Sequence, residues 1–247
     1  MTYCVAMRLD AGLVFLSDSR TNAGVDQINT FRKMQVFEKP GERVLVLMSS
    51  GNLSISQSVV NLLRERLESK RVRSLNSVKN MFEAARHVGD CVREVHARDA
   101  EALGEFGIDF NCSFILGGQI KGEELRVFQV YAAGNFIEAT KETPYFQIGE
   151  SKYGKPILDR VITPQTAMTE ACKCVLVSFD STMRSNLSVG PPLDLLLYRR
   201  DSFSADLRQR LDEHDPYLQS ISRQWNETLR QGVRDLPDPA WLEDAPR

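Results

Sequence analysis

Apolar and polar positions along the chain fall into two regimes: short runs suited to strands, and longer stretches with helical spacing. Residues 2–9, TYCVAMRL, mix β-branched, aromatic and small apolar side chains, as a largely buried strand does. A turn at 10–12 leads into a second strand, 12–18, and the two predict a hairpin. Seven residues out, a short turn and seven back return Asp18 to the neighbourhood of Thr2. Residues 19–30 are polar and read as a loop. A second hairpin follows, KMQVFEK at 33–39 and RVLVLMS at 43–49, joined by a Lys-Pro-Gly turn.

The period changes after Ser49-Ser50-Gly51-Asn52. Ile55, Val59, Leu62, Leu63 and Leu67 recur at helical spacing from Ser54 onward. A strand therefore runs through a glycine into a helix whose first amides have no intrahelical partner. Val78, Met81, Phe82, Ala85, Val88, Val92 and Val95 predict a second helix over 76–103. Strands return at 110–118 and 125–132, with short ones at 135–139 and 145–148. A turn at 149–154 enters a helix reaching about 161, and 166–174 reads as another, with its end anywhere up to 183. Residues 184–192 predict a loop, 193–199 a final strand, and 205–232 a polar amphipathic helix through Leu207, Leu211, Leu218, Ile221 and Trp225. The Pro- and acid-rich tail predicts little order on its own. Hairpins and helices arriving in blocks indicate an α+β fold, with two antiparallel sheets stacked between two helical layers. The expected organisation is one domain over 1–200, with 201–247 as a C-terminal helix and tail that packs on the domain or at a subunit contact.

Composition narrows the function classes. The chain has 247 residues and a net charge of −2, which gives no electrostatic case for nucleic acid or an anionic membrane. No apolar run is long enough to span a bilayer, and no signal-peptide pattern opens the chain. The five scattered cysteines, Cys4, Cys91, Cys112, Cys172 and Cys174, predict reduced thiols and a cytoplasmic protein rather than a disulfide framework. His87 and His96, nine apart, lie on different faces of the second helix and make no metal pair. Nothing in the sequence calls for a metal or an organic cofactor.

Candidate chemistry begins at Met1-Thr2. Thr2 is small enough for methionine aminopeptidase to remove Met1, which leaves a threonine with a free α-amine. Such a residue carries a nucleophilic hydroxyl and a base on one backbone unit. An α-amine with a pKa of roughly 7.7–8.0 suits a general base near neutral pH. Amides at the glycine-to-helix junction are suited to stabilising an oxyanion. Asp18 and Lys33 read, on their own, as a salt bridge at a hairpin end.

With Thr2, Asp18, Lys33 and Ser50-Gly51 in this order, and with the segment LVFLSDSRTNAG, the chain resembles the proteasome β-type N-terminal-nucleophile hydrolases. Within them it is similar to the bacterial Anbu group of proteasome-type proteases, relatives of the HslV peptidase, over roughly 2–199. The resemblance implies a four-layer αββα sandwich and a threonine-type peptidase acting in a ring or spiral of identical subunits. It implies Thr2 as the nucleophile, Asp18 as the acid that positions Lys33, Lys33 as the group that lowers the nucleophile's proton affinity, and Gly51 as the oxyanion-hole glycine. Ser19 and Ser50 flank these positions. It also implies a peptide or unfolded protein as substrate, and ATP-grasp or transglutaminase-like proteins as pathway partners.

Two departures from the family pattern stand out. Where the family has Gly-Ser-Gly before its third helix, this chain has Gly149-Glu150-Ser151, so Glu150 takes the serine's place or Ser151 serves one residue on. Where the family has Asp-x-x-Ser before a late strand, this chain has Ser185-Asn186-Leu187-Ser188, with Ser188 matching and Ser185 in place of the acid. Two other readings therefore stay open: an assembly protein that keeps the fold without proteolysis, and a specialised small-peptide amidase.

Overall fold

A computed structural model describes residues 1–22, 28–69, 71–205 and 207–243. Strand β1 (Tyr3–Leu9) and β2 (Gly12–Asp18) form the expected hairpin, with Leu9 opposite Gly12 and Cys4 opposite Ser17. Residues 19–30 are not simply a loop: β3 (Arg20–Asn22) and β4 (Ile28–Thr30) pair as a two-stranded ribbon. Next come β5 (Met34–Lys39), β6 (Arg43–Gly51) and helix α1 (Leu53–Glu68). The second helix, α2 (Met81–Glu105), starts later than the apolar spacing predicts, because Asn80 caps it by accepting from the Glu83 amide at 2.7 Å. Val78, counted with the helix, instead packs from the preceding turn into the same core.

The chain continues through β7 (Cys112–Ile120), β8 (Arg126–Val130), β9 (Phe136–Glu138) and β10 (Tyr145–Gly149), then α3 (Lys155–Val161), α4 (Met168–Ser185) and β11 (Leu193–Arg199). The single helix expected over 205–232 is overturned. Leu207–Leu211 is strand β12, paired with β11, and the helix α5 runs only from Pro216 to Arg234. Asp215 sets that start by accepting from the Tyr217 and Leu218 amides at 3.0 and 2.9 Å, with Pro216 pre-set for a first helical turn. β11 is accordingly not the last strand. In the tail, Ala240–Glu243 forms a short helix, α6.

The strands make two five-stranded antiparallel sheets, ordered β10-β1-β2-β11-β12 and β5-β6-β7-β8-β9. Their facing sides meet in a core of Cys4, Ala6, Phe15, Val46, Met48 and Ile115. Alternate residues of the first hairpin, Tyr3, Val5, Met7, Val14 and Leu16, point the other way and pack with Leu158, Val175 and Phe179 of α3 and α4. That double burial is why β1 reads as continuously apolar rather than alternating. On the far side of the second sheet, Leu45, Leu47, Phe114 and Leu116 pack with Ile55, Val59 and Leu63 of α1 and with α2. Each such fully buried aliphatic chain contributes about 1.5–3 kcal/mol of transfer free energy. The result is the four-layer αββα sandwich. Among the described residues no helix is long and apolar enough to cross a membrane, and the five cysteines are all unpaired thiols.

The two helical histidines differ in setting. His96 stacks edge-on against Phe110, 4.7 Å between ring centroids. His87 is 2% exposed, and its Nε2 has no hydrogen-bond partner among the described residues. Burial first, then the nearby Arg66 and Arg73 guanidiniums, lower its pKa from 6.5 to about 4, with Asp90 and Glu94 opposing. The folded state then binds fewer protons than the unfolded chain between those values. The stability from a neutral His87 is complete above pH 6.5 and is lost as pH falls toward 4. Urea titrations should show a loss of about 2–3 kcal/mol over that window, and His87→Leu should flatten it.

Candidate active site

The sheets end around a cleft of about 630 Å³, walled by Met1 and Thr2 on one side and by Ser49, Ser50, Gly51 and Asn52 on the other. Thr2 stands at the threshold of β1. Its carbonyl accepts from the Glu150 amide at 2.6 Å, next to Gly149, which pairs with Tyr3. Gly149 has φ of +86°, and a Cβ there would lie 1.9 Å from the Thr2 oxygen, so only glycine allows this approach.

Asp18 closes β2 directly beneath. Its Oδ1 accepts from the Tyr3 amide at 2.9 Å and from Lys33 Nζ at 2.7 Å. The carboxylate is fully buried and the lysine 5% exposed. Burial pushes the Asp18 carboxyl up, while the Lys33 ammonium and the Tyr3 amide pull the other way. Lys33 Nζ also donates to the Arg20 carbonyl at 2.7 Å and to the Met1 carbonyl at 3.4 Å. The ammonium therefore touches the peptide bond whose cleavage would free the Thr2 amine. The α-amine of Met1 is itself lowered below its ordinary value, by burial first and by Lys33 second, with Asp18 opposing. Lys33 is not merely a hairpin-end partner, because it reaches from the second sheet's entry into the first hairpin.

Gly51 ends β6 with φ of +99° and faces the cleft. Not every amide at this junction is open, as the sequence alone suggests. The Asn52 amide donates to the Asn111 carbonyl at 2.8 Å, and the Ser54 amide donates to Asn52 Oδ1 at 2.9 Å. A Cβ on Gly51 would lie 2.5 Å from the Asn111 oxygen. Gly51→Ala should cost about 1–3 kcal/mol in backbone strain and displacement, read as a lower urea midpoint, and should reshape this wall of the cleft.

The remaining expected positions divide. Ser50 is buried and lines the cleft, opposite Ser113 in the sheet. Ser19, Glu150, Ser151, Ser185 and Ser188 are not part of the cleft wall. Ser19 Oγ donates to the Pro192 carbonyl at 2.5 Å, and Arg20 donates to the Leu187 carbonyl at 2.9 Å, so this pair fastens the 186–192 segment to the ribbon. Glu150 touches Thr2 through its backbone only. Its side chain accepts from Asn186 Nδ2 at 3.1 Å and from the Lys152 amide at 3.3 Å. Ser151 accepts the Lys155 amide at the start of α3. Ser185 is the exposed last residue of α4, because the helix runs further than its apolar pattern declares. Asn186, one residue on, meets Glu150 and accepts from the Ser188 amide at 2.9 Å. Sequence reasoning missed Thr21, Asn111 and Ser113 as cleft residues. The three-residue continuation of LSDSRT past Asp18 was the available signal for Thr21, and none pointed to the other two. Among the described residues no group of three or more His, Cys, Asp or Glu gathers as a metal site.

Two sheets between helical pairs, with a threonine at the head of the first strand and a buried Asp-Lys pair below it, define a proteasome β-type, N-terminal-nucleophile fold. Solved structures agree along nearly the whole chain. Anbu (ancestral β-subunit) from Yersinia bercovieri is 54% identical with a TM-score of 0.90, over 96% of this chain and 98% of that one. The Anbu complex of Pseudomonas aeruginosa, described as a helical assembly, is 52% identical with a TM-score of 0.92, over 96% and 98%. An Anbu (Gly-1) mutant from Hyphomicrobium sp. strain MC1 is 51% identical with a TM-score of 0.90, over 97% and 99%. The chain belongs to the Anbu family of proteasome-type proteins. No family model and no curated protein matches it.

Proposed function

We propose that this chain is a cytoplasmic threonine-type peptidase that acts as one subunit of a homo-oligomer. The observation that carries this reading is the position of Lys33 Nζ, held by Asp18 and in contact with the Met1 carbonyl, at the floor of a cleft bordered by Thr2 and Gly51. After Met1 is removed, the Thr2 hydroxyl attacks the peptide carbonyl carbon and passes its proton to its own amine, directly or through a water. An ammonium nearby disfavours a second positive charge and keeps that amine neutral and basic. The Gly51 amide stabilises the oxyanion. The C–N bond then breaks, the amine product leaves with the proton, and water hydrolyses the ester to restore Thr2.

Assembly is supported by the helical complex of the Pseudomonas aeruginosa relative. In this chain, segment 201–247 presents the exposed apolar side chains of Leu229, Val233, Leu236 and Trp241, which suits a subunit contact. Five unpaired cysteines suit a reducing compartment. The test is to incubate the native assembly with unfolded casein, with dipeptides and with isopeptides, and to count new amino termini. Cleavage of casein into peptides is expected. Turnover of the small amides alone would make this a specialised amidase, and no cleavage by a chain that has lost Met1 would make it an assembly protein.

A further inference from the structure

A polar side pocket of about 250 Å³ opens between α1 and the start of β5. It shares Lys33, Ser49, Leu53 and Ser56 with the cleft, so the two cavities adjoin. Gln57, Asn61 and Arg64 reach it from one face of α1, at spacings of four and three, with Gln35 and Arg32 opposite. Among the described residues no Asp or Glu lines this pocket. The charge of Lys33 is matched by Asp18. Arg64, by contrast, donates to the neutral amide oxygen of Gln35, and neither Arg64 nor Arg32 has an ion-pair partner among the described residues. Arg32 also borders a neighbouring pocket that holds Asp194, but Arg210 engages that carboxylate at 2.6 Å.

We propose that this pocket receives the side-chain carboxylate of a glutamate or aspartate in a peptide bound in the cleft, which makes acidic peptides the substrate class. The proposal rests on the reading of the cleft as a peptide-hydrolysing site. A guanidinium presents paired donors that match a carboxylate, and the Gln57 and Asn61 amides supply donors for its remaining lone pairs. A lysine side chain would meet two like charges there, and a leucine would leave the polar wall without partners.

Binding can be measured apart from turnover, on the assembled Thr2→Ala chain with the unsubstituted chain alongside. Calorimetry would use acetylated, amidated peptides varied among Glu, Gln, Leu and Lys at each of four positions, together with the Gln peptides as free acids. At one position Glu should bind about tenfold or more tighter than Gln, a difference of about 1.4 kcal/mol. The preference should shrink in Arg64→Gln and vanish in the Arg32→Gln, Arg64→Gln pair, with the unfolding midpoint and assembly size of those variants unchanged. Equal binding of Glu and Gln, a preference that survives the double substitution, or no binding at all would overturn the proposal. A free-acid Gln peptide that matches Glu would overturn it too, by assigning the pocket to a C-terminal carboxylate. Absence of hydrolysis in the unsubstituted chain would count against the peptidase reading and leave the binding result standing.

Discussion

Lys33→Met should be among the most destabilising single substitutions in this protein, costing about 3–5 kcal/mol in chemical unfolding. Methionine keeps most of the apolar stem, so packing alone does not explain a loss of that size. What is lost is the ammonium that donates to Asp18 at 2.7 Å inside the fold. The carboxylate is then left fully buried, with backbone amides such as that of Tyr3 at 2.9 Å as its donors and no counter-charge from Lys33. Burial already pushes its pKa up, and without Lys33 it moves further up. A carboxyl whose folded pKa is raised binds more protons in the folded state, so the variant should lose stability as pH rises. The deficit should be smaller at pH 5 than at pH 8, and Asp18→Asn in the same chain should recover part of it. A deficit independent of pH would show that the pair is not the source.

Thr2→Ala gives the largest expected effect on function and a small one on stability. Its side chain is half-buried at the cleft edge, while its backbone carbonyl carries the contact to the Glu150 amide. Alanine keeps that carbonyl and removes the hydroxyl. Peptide hydrolysis should therefore fall by about 10³-fold or more, with the unfolding midpoint and the assembly size unchanged. Thr2→Ser, which restores a hydroxyl, should return part of the rate. Together the two substitutions separate a nucleophile from a structural residue, since a purely structural threonine would lower stability and leave no difference between Ala and Ser.

How legible the molecule is depends on sequence separation. The meeting of Thr2 and Asp18 can be argued from the first eighteen residues, because a short turn fixes the register of a hairpin, and Cys4 does face Ser17. The sandwich is legible because apolar runs on both faces of β1 and β2 need a sheet on one side and helices on the other. Lys33 pairing with Asp18, across two different sheets, is implied by the family resemblance and not by any local pattern. Asn111 and Ser113 enter the cleft through register with β6, a pairing of residues some sixty positions apart that no periodicity records. Strand β12 was hidden by coincidence. Leu207 and Leu211 are four apart, which fits a helix face as well as an edge strand, and the positions between them are exposed and polar. Helix α4 runs through Ser185 and ends at Asn186, its C-cap, so Asn186 rather than Ser185 turns inward to Glu150.

The most direct measurement is the intact mass of the protein before and after treatment with a peptide epoxyketone, which closes a ring only with both the hydroxyl and the free amine of an N-terminal threonine. The expected result is a mass lacking Met1 that gains one inhibitor per chain, and no gain for Thr2→Ala. A chain that keeps Met1, or that loses Met1 and gains nothing, would contradict a working threonine nucleophile at this site.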